Sequence, residues 1–156
     1  PVQGRLFDRL VARRAFGVLG PTEAVVEMTA FVVALIATGW QFGDPEPSTT
    51  VLATASGAAF LALFLGQSAN AFACRSTRQP VTPRQLMGNR FLPLGVLAGM
   101  VAGTATLLIP PVADALGQQW PSGAGLAVAL CAVPAVILAD AVEKHLRARR
   151  RTVTVG

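Results

Sequence analysis

Charge is scarce in this chain. Of its 156 residues only 13% are Asp, Glu, Lys or Arg, about half the share of an ordinary soluble domain. Apolar residues make up 53%, and a chain of this length cannot hide that much apolar surface in one water-soluble core. The shortage therefore points to a bilayer as the solvent. Cysteine is nearly absent as well: Cys74 and Cys131 alone exclude a disulfide scaffold. The single histidine, His145, stands in a basic tail without partners of ligand spacing, which argues against a metal site. No Gly-rich phosphate-cradling loop ends in Lys, no Asp-Lys-Thr-Gly phosphorylation motif occurs, and no soluble acid–base pair is found. Alone, the chain is expected to catalyse nothing and to bind no cofactor. Residues 1–14 are basic but lack the apolar core and cleavage site of a secretory signal. The first residue is Pro1 rather than Met, so a fragment or a processed chain is expected.

What is present is apolar sequence in four blocks: Ala24–Phe42, Val51–Ala73, Phe91–Ile109 and Ala124–Ala141. Each has roughly the 18–23 residues that an α-helix needs to cross about 30 Å of hydrocarbon. None alternates polar and apolar residues as a membrane β-strand would. The expected fold is all-α: an integral membrane bundle of four transmembrane helices over residues 23–145. A basic lead-in (1–22) and a basic tail (146–156) flank it. An even number of spans puts both termini on one side.

The placement of the 13 basic residues supports this count. Arg5, Arg9, Arg13 and Arg14 precede the first block. Arg75, Arg78, Arg84 and Arg90 lie between the second and third. Lys144, Arg147, Arg149, Arg150 and Arg151 close the chain. The other two connections carry Asp44, Glu46 and Asp114 instead. The positive-inside rule then predicts cytoplasmic termini and middle loop in a multi-pass protein of the cell membrane. Basic residues used in this way also explain a net charge of +5 without nucleic acid, for which no basic, aromatic-interleaved surface exists. Arg5-Leu6-Phe7, Leu10-Val11 and Arg13-Arg14 have the spacing of an amphipathic helix on the inner leaflet, although a solvated linker fits equally well. Trp40 and Trp120 fall where an outer aromatic belt belongs.

Polar residues inside the blocks are the functional candidates. Gln67 and Asn70 share a helix face near the end of the second block. Carboxamides in a bilayer must face protein, water or an ion, so the pair either bonds helices together or lines a cation path. Ala58, Ala62 and Gly66 offer a surface for close helix approach. In the third block Gly95, Gly99 and Gly103 form a doubled Gly-x-x-x-Gly, a packing groove. Pro21 is expected in a first helical turn and Pro134 as a kink. Glu23 sits where an acid complements a helix N-terminus, whereas Glu27, one turn deeper, lacks that explanation. Asp140, Glu143 and Lys144 read as a solvated, salt-bridged helix end. Cys74 and Cys131 lie at different depths, so no disulfide is expected between them.

The run Gly66-Gln67-Ser68-Ala69-Asn70-Ala71-Phe72-Ala73-Cys74-Arg75-Ser76 resembles the end of the eighth membrane helix of type II P-type cation-transporting ATPases. Gly20-Pro21-Thr22-Glu23-Ala24, Ala30-Phe31 and Gly39-Trp40 resemble the seventh helix. Asn89-Arg90 and Ile109-Pro110-Pro111 resemble the ninth, and Leu138–Lys144 the inner end of the tenth. The resemblance spans about residues 5–150 and implies the last four membrane helices of such a pump. It implies ATP and Mg acting in the complete pump, with the remaining helices and domains, the bilayer and the transported cation as partners. Gln67 matches a position that is Glu in some relatives, and Asn70 one that is acidic in others. The ion ligands on the fourth to sixth helices would lie outside this chain. A free-standing four-helix protein, structural or regulatory, remains an alternative at this point, as does an unrelated small membrane protein.

Overall fold

The computed structural model describes residues 9–74 and 91–153. Arg5-Leu6-Phe7 of the lead-in lies outside the described residues, as does the middle loop with Arg75, Arg78, Arg84, Asn89 and Arg90. Among the described residues all regular structure is helical.

The chain enters through α1 (Arg9–Arg14), a π-helical turn (Ala15–Leu19) and α2 (Gly20–Ile36). The junction residues Arg14, Leu19 and Gly20 all keep right-handed helical angles, so the three run as one helix. Pro21 explains the wide turn. It has no N–H for the carbonyl four residues back, and the chain responds with a π turn in which the Gly20 N–H bonds the Ala15 carbonyl. Thr22 Oγ1 donates to the Val18 carbonyl at 2.8 Å. Pro21 thus stands in the first turn of α2, as expected, but that turn continues a helix already under way. The span-length segment is Ala12–Ile36, displaced toward the N-terminus from the expected 24–42. It stops at Ile36 because Gly39 takes φ +91°, a left-handed angle that only glycine adopts freely.

Helix α3 (Thr49–Ala73) opens with Ser48, whose hydroxyl accepts the Val51 N–H. Helix α4 (Phe91–Leu108) is followed by the short α5 (Pro110–Ala115). Helix α6 (Gly123–Leu130), capped by Ser122, and α7 (Ala132–Val153) are separated at Cys131. The break follows from Pro134, which lacks the N–H that the Leu130 carbonyl would accept. Three segments are long and apolar enough to cross a membrane: Ala12–Ile36, Thr49–Ala73 and Gly123–Arg149. Within α4 the apolar stretch Pro93–Leu108 is shorter.

Helix α3 is the hub. It packs most extensively on α2 and also meets α4, α6 and α7. The core is built from small side chains (Ala30, Ala34, Ala55, Ala58, Ala62 and Ala129), with Leu61, Leu65 and Leu107 filling between them. Where no solvent separates apolar surfaces from lipid, close backbone approach replaces the hydrophobic drive. Gly125 shows this: a Cβ there would lie 2.8 Å from Ala58 Cβ and 3.1 Å from Ala34 Cβ. At Gly57 a Cβ would fall 1.8 Å from the Gln119 carbonyl oxygen. The loop before α6 rests there, its Gln119 N–H bonded to Ala53 O at 3.0 Å. Phe91, Leu94, Leu97 and Val101 of α4 face outward, the kind of surface that a bilayer solvates.

Candidate cation-path interface

Two polar centres interrupt the apolar packing. The first lies between α2 and α3. Glu23 is only 5% exposed. It stands near the midpoint of the Ala12–Ile36 segment, with roughly 20 Å of helix rise between it and Ile36. Gln67 Nε2 donates to its Oε2 at 2.7 Å. Asn70, three residues beyond Gln67, lies close enough to interact with the carboxylate. Oε1 of Glu23 is buried and has no hydrogen-bond partner among the described residues. Gly66 makes the approach possible, since a Cβ there would lie 3.3 Å from Glu23 Cγ. Glu27, half-buried, follows one turn along the same face of α2 and places its charge beside Glu23. Asn70 Oδ1 also accepts from the Cys74 thiol at 3.2 Å.

The second centre joins the first helix, the end of α3 and α7. Asp140 of α7 is 1% exposed, and Arg14 and Lys144 are 4% and 5% exposed. Asp140 Oδ1 is paired with Arg14, and its Oδ2 accepts from Lys144 Nζ at 2.6 Å. Both cations also donate to the carbonyl of Ala73, the last residue of α3, at 2.8 Å and 3.2 Å. This is one of the orphan acceptors that every helix end leaves. Glu143, paired with Arg147, flanks the group. The expectation of a solvated helix end is thereby corrected. The salt bridges are there, but the long π-turned helix brings Arg14 across to bury them.

The carboxamides singled out from the sequence therefore come together with an acid that the sequence explains as a helix-terminus residue. Glu23 is not at a terminus, because the helix begins well before it. The glycines of α4 divide. A Cβ on Gly103 would collide with the Phe64 ring at 2.5 Å, whereas Gly95 and Gly99 have nothing within 4 Å. These two line a cleft of about 390 Å³ between α3 and α4, which Gln67 and Ser68 also border. Cys74 and Cys131 are free and exposed. Among the described residues no three His, Cys, Asp or Glu side chains cluster as a metal centre would require.

An all-helical domain with span-length apolar helices, and a buried carboxylate held against a carboxamide of the neighbouring helix, belongs to the class of helical membrane domains. The family description "Cation transporting ATPase, C-terminus" matches residues 1–146, and the chain belongs to that family. Comparison with curated proteins finds no match.

Proposed function

We propose that this chain forms the last four membrane helices of a type II P-type, ATP-driven cation pump of the cell membrane, with both termini cytoplasmic. In this reading it braces the transport helices, and Gln67 and Asn70 lend neutral side chains to the cation path. ATP and Mg act on the complete pump, outside these residues. The observation that carries the reading is Gln67 turned toward a buried carboxylate in mid-helix, within a chain of the cation-ATPase family. A carboxamide serving only as interhelical glue needs no titratable partner; a cation path does. Topology rests on the basic residues described above, with Arg14 and Lys144 gathered at one end of the bundle.

The test is Gln67→Ala in the complete pump. Membrane yield is expected to match wild type. The cation concentration for half-maximal ATP hydrolysis is expected to rise severalfold. An unchanged cation dependence would return Gln67 to a packing role.

A further inference from the structure

We infer that Glu23, with Glu27, Gln67 and Asn70, binds one hard, oxygen-preferring cation at the α2–α3 interface, a divalent ion being the better match. The inference rests on the reading that Gln67 and Asn70 line the cation path, and it adds the acid that such a path requires.

The argument starts from an imbalance. Glu23 is buried halfway along a span-length helix, yet the groups that reach its carboxylate, Gln67 and Asn70, are neutral carboxamides. The second oxygen has no partner among the described residues. An ionised carboxylate taken out of water needs a counter-charge or several donors. The two buried cations, Arg14 and Lys144, are committed to Asp140 at the helix ends. Nothing described on α2 or α3 therefore neutralises Glu23, whose side chain lies against the bare backbone of Gly66.

Donor chemistry sets the ion class. The four side chains offer carboxylate and carboxamide oxygens, the ligand set of Ca²⁺, Mg²⁺ and the alkali ions rather than of softer metals. Two carboxylates one helical turn apart supply the charge that raises affinity for a divalent ion over a monovalent one. Gln67 turns its amide nitrogen to Glu23. Rotation of that amide about its last torsion would present its oxygen instead.

The experiment uses the complete purified pump without ATP. Melting temperature is followed during titration with CaCl₂, MgCl₂, NaCl and KCl in turn. A divalent chloride is expected to raise the melting temperature with a midpoint at least tenfold below that of either alkali chloride. Glu23→Gln keeps the shape and is expected to move that midpoint at least tenfold higher, and Glu27→Gln severalfold higher. Should Glu23→Gln fail to accumulate, Glu23→Asp keeps the charge but withdraws the oxygens, and the same tenfold shift is expected. Unchanged midpoints in the Glu23 variant that is measured would overturn the inference. So would a variant whose response to pH alone is altered, since Glu23 would then carry a proton only. A shift in Glu23→Gln with none in Gln67→Ala would keep Glu23 as a ligand and remove Gln67. The reverse would remove Glu23 and keep the Gln67 reading.

Discussion

Asp140→Ala is expected to be among the most damaging single substitutions in this domain. The carboxylate stands between Arg14 and Lys144, both buried. Its loss leaves two like charges side by side at the Ala73 carbonyl, with Glu143 beside Arg14. Breaking a buried ion pair by removing one partner costs about 3–5 kcal/mol, most of it from the uncompensated charge that stays behind. At about 2–4 °C per kcal/mol for domains of this size, the melting temperature should fall by about 6–20 °C. The assay is the fraction of detergent-purified protein that stays monodisperse after a temperature series. The physical reasoning has a second arm. Replacing all three charges by apolar side chains of similar volume (Arg14→Met, Asp140→Leu and Lys144→Met together) removes both the attraction and the desolvation penalty. The triple variant should therefore recover most of the loss. A melting temperature within about 2 °C of wild type for Asp140→Ala would refute the claim that the cluster is buried and mutually dependent. A triple variant no more stable than Asp140→Ala would instead show that the bonds to the Ala73 carbonyl, which only the triple variant gives up, are worth as much as relief of the charge imbalance.

Two further predictions concern close packing. Gly103→Ala should lower thermal stability clearly and Gly99→Ala hardly at all, because only the former drives a Cβ into the Phe64 ring; equal melting temperatures of the two variants would count against the α3–α4 packing. Gly57→Ala should loosen the loop before α6, where a Cβ and the Gln119 carbonyl oxygen cannot both fit. Faster protease cleavage near Gln118–Trp120 is the expected readout, and a wild-type cleavage rate would argue against that contact.

Where apolar run and helix coincide, the fold is readable from the sequence. Val51–Ala73 differs from α3 only at its start, because Ser48 is a recognisable N-cap and Cys74 closes the helix with an ordinary turn. Three of the apolar blocks overlap helices long and apolar enough to cross a membrane, and the third block in the chain holds a shorter apolar helix, since a bilayer demands internally satisfied backbone over a fixed length. The first block is displaced because hydropathy does not mark where a helix ends. Thr38, Gly39 and Trp40 carry no charge and so extend the apolar run, yet Gly39 turns the chain. Upstream, Arg13 and Arg14 depress the average while the helix continues through them. Pro21 reads as a beginning because proline usually is one; the π turn that accommodates it leaves no sequence signature beyond Pro21 itself and Thr22.

The site follows the same division. Gln67 and Asn70 are visible because polar residues in an apolar run stand out at helical spacing. Glu23 carries a signal as well, an acid beside an apolar run, but a local explanation absorbs it: two residues after Pro21, it looks like a dipole partner. Only the helix preceding Pro21 converts it from a terminus to a mid-span residue. The Arg14–Asp140 pair carries no such signal, since 126 residues separate the partners and no spacing rule reaches that far. The i,i+4 pair Asp140–Lys144 is legible, but as an exposed pair, whose worth is small. Burial changes its meaning, and burial depends on Arg14 arriving from the first helix. The two centres thus share one cause. The turn that Pro21 imposes extends the first helix, and that single continuous rod carries Arg14 to the helix ends and Glu23 to the middle of the span.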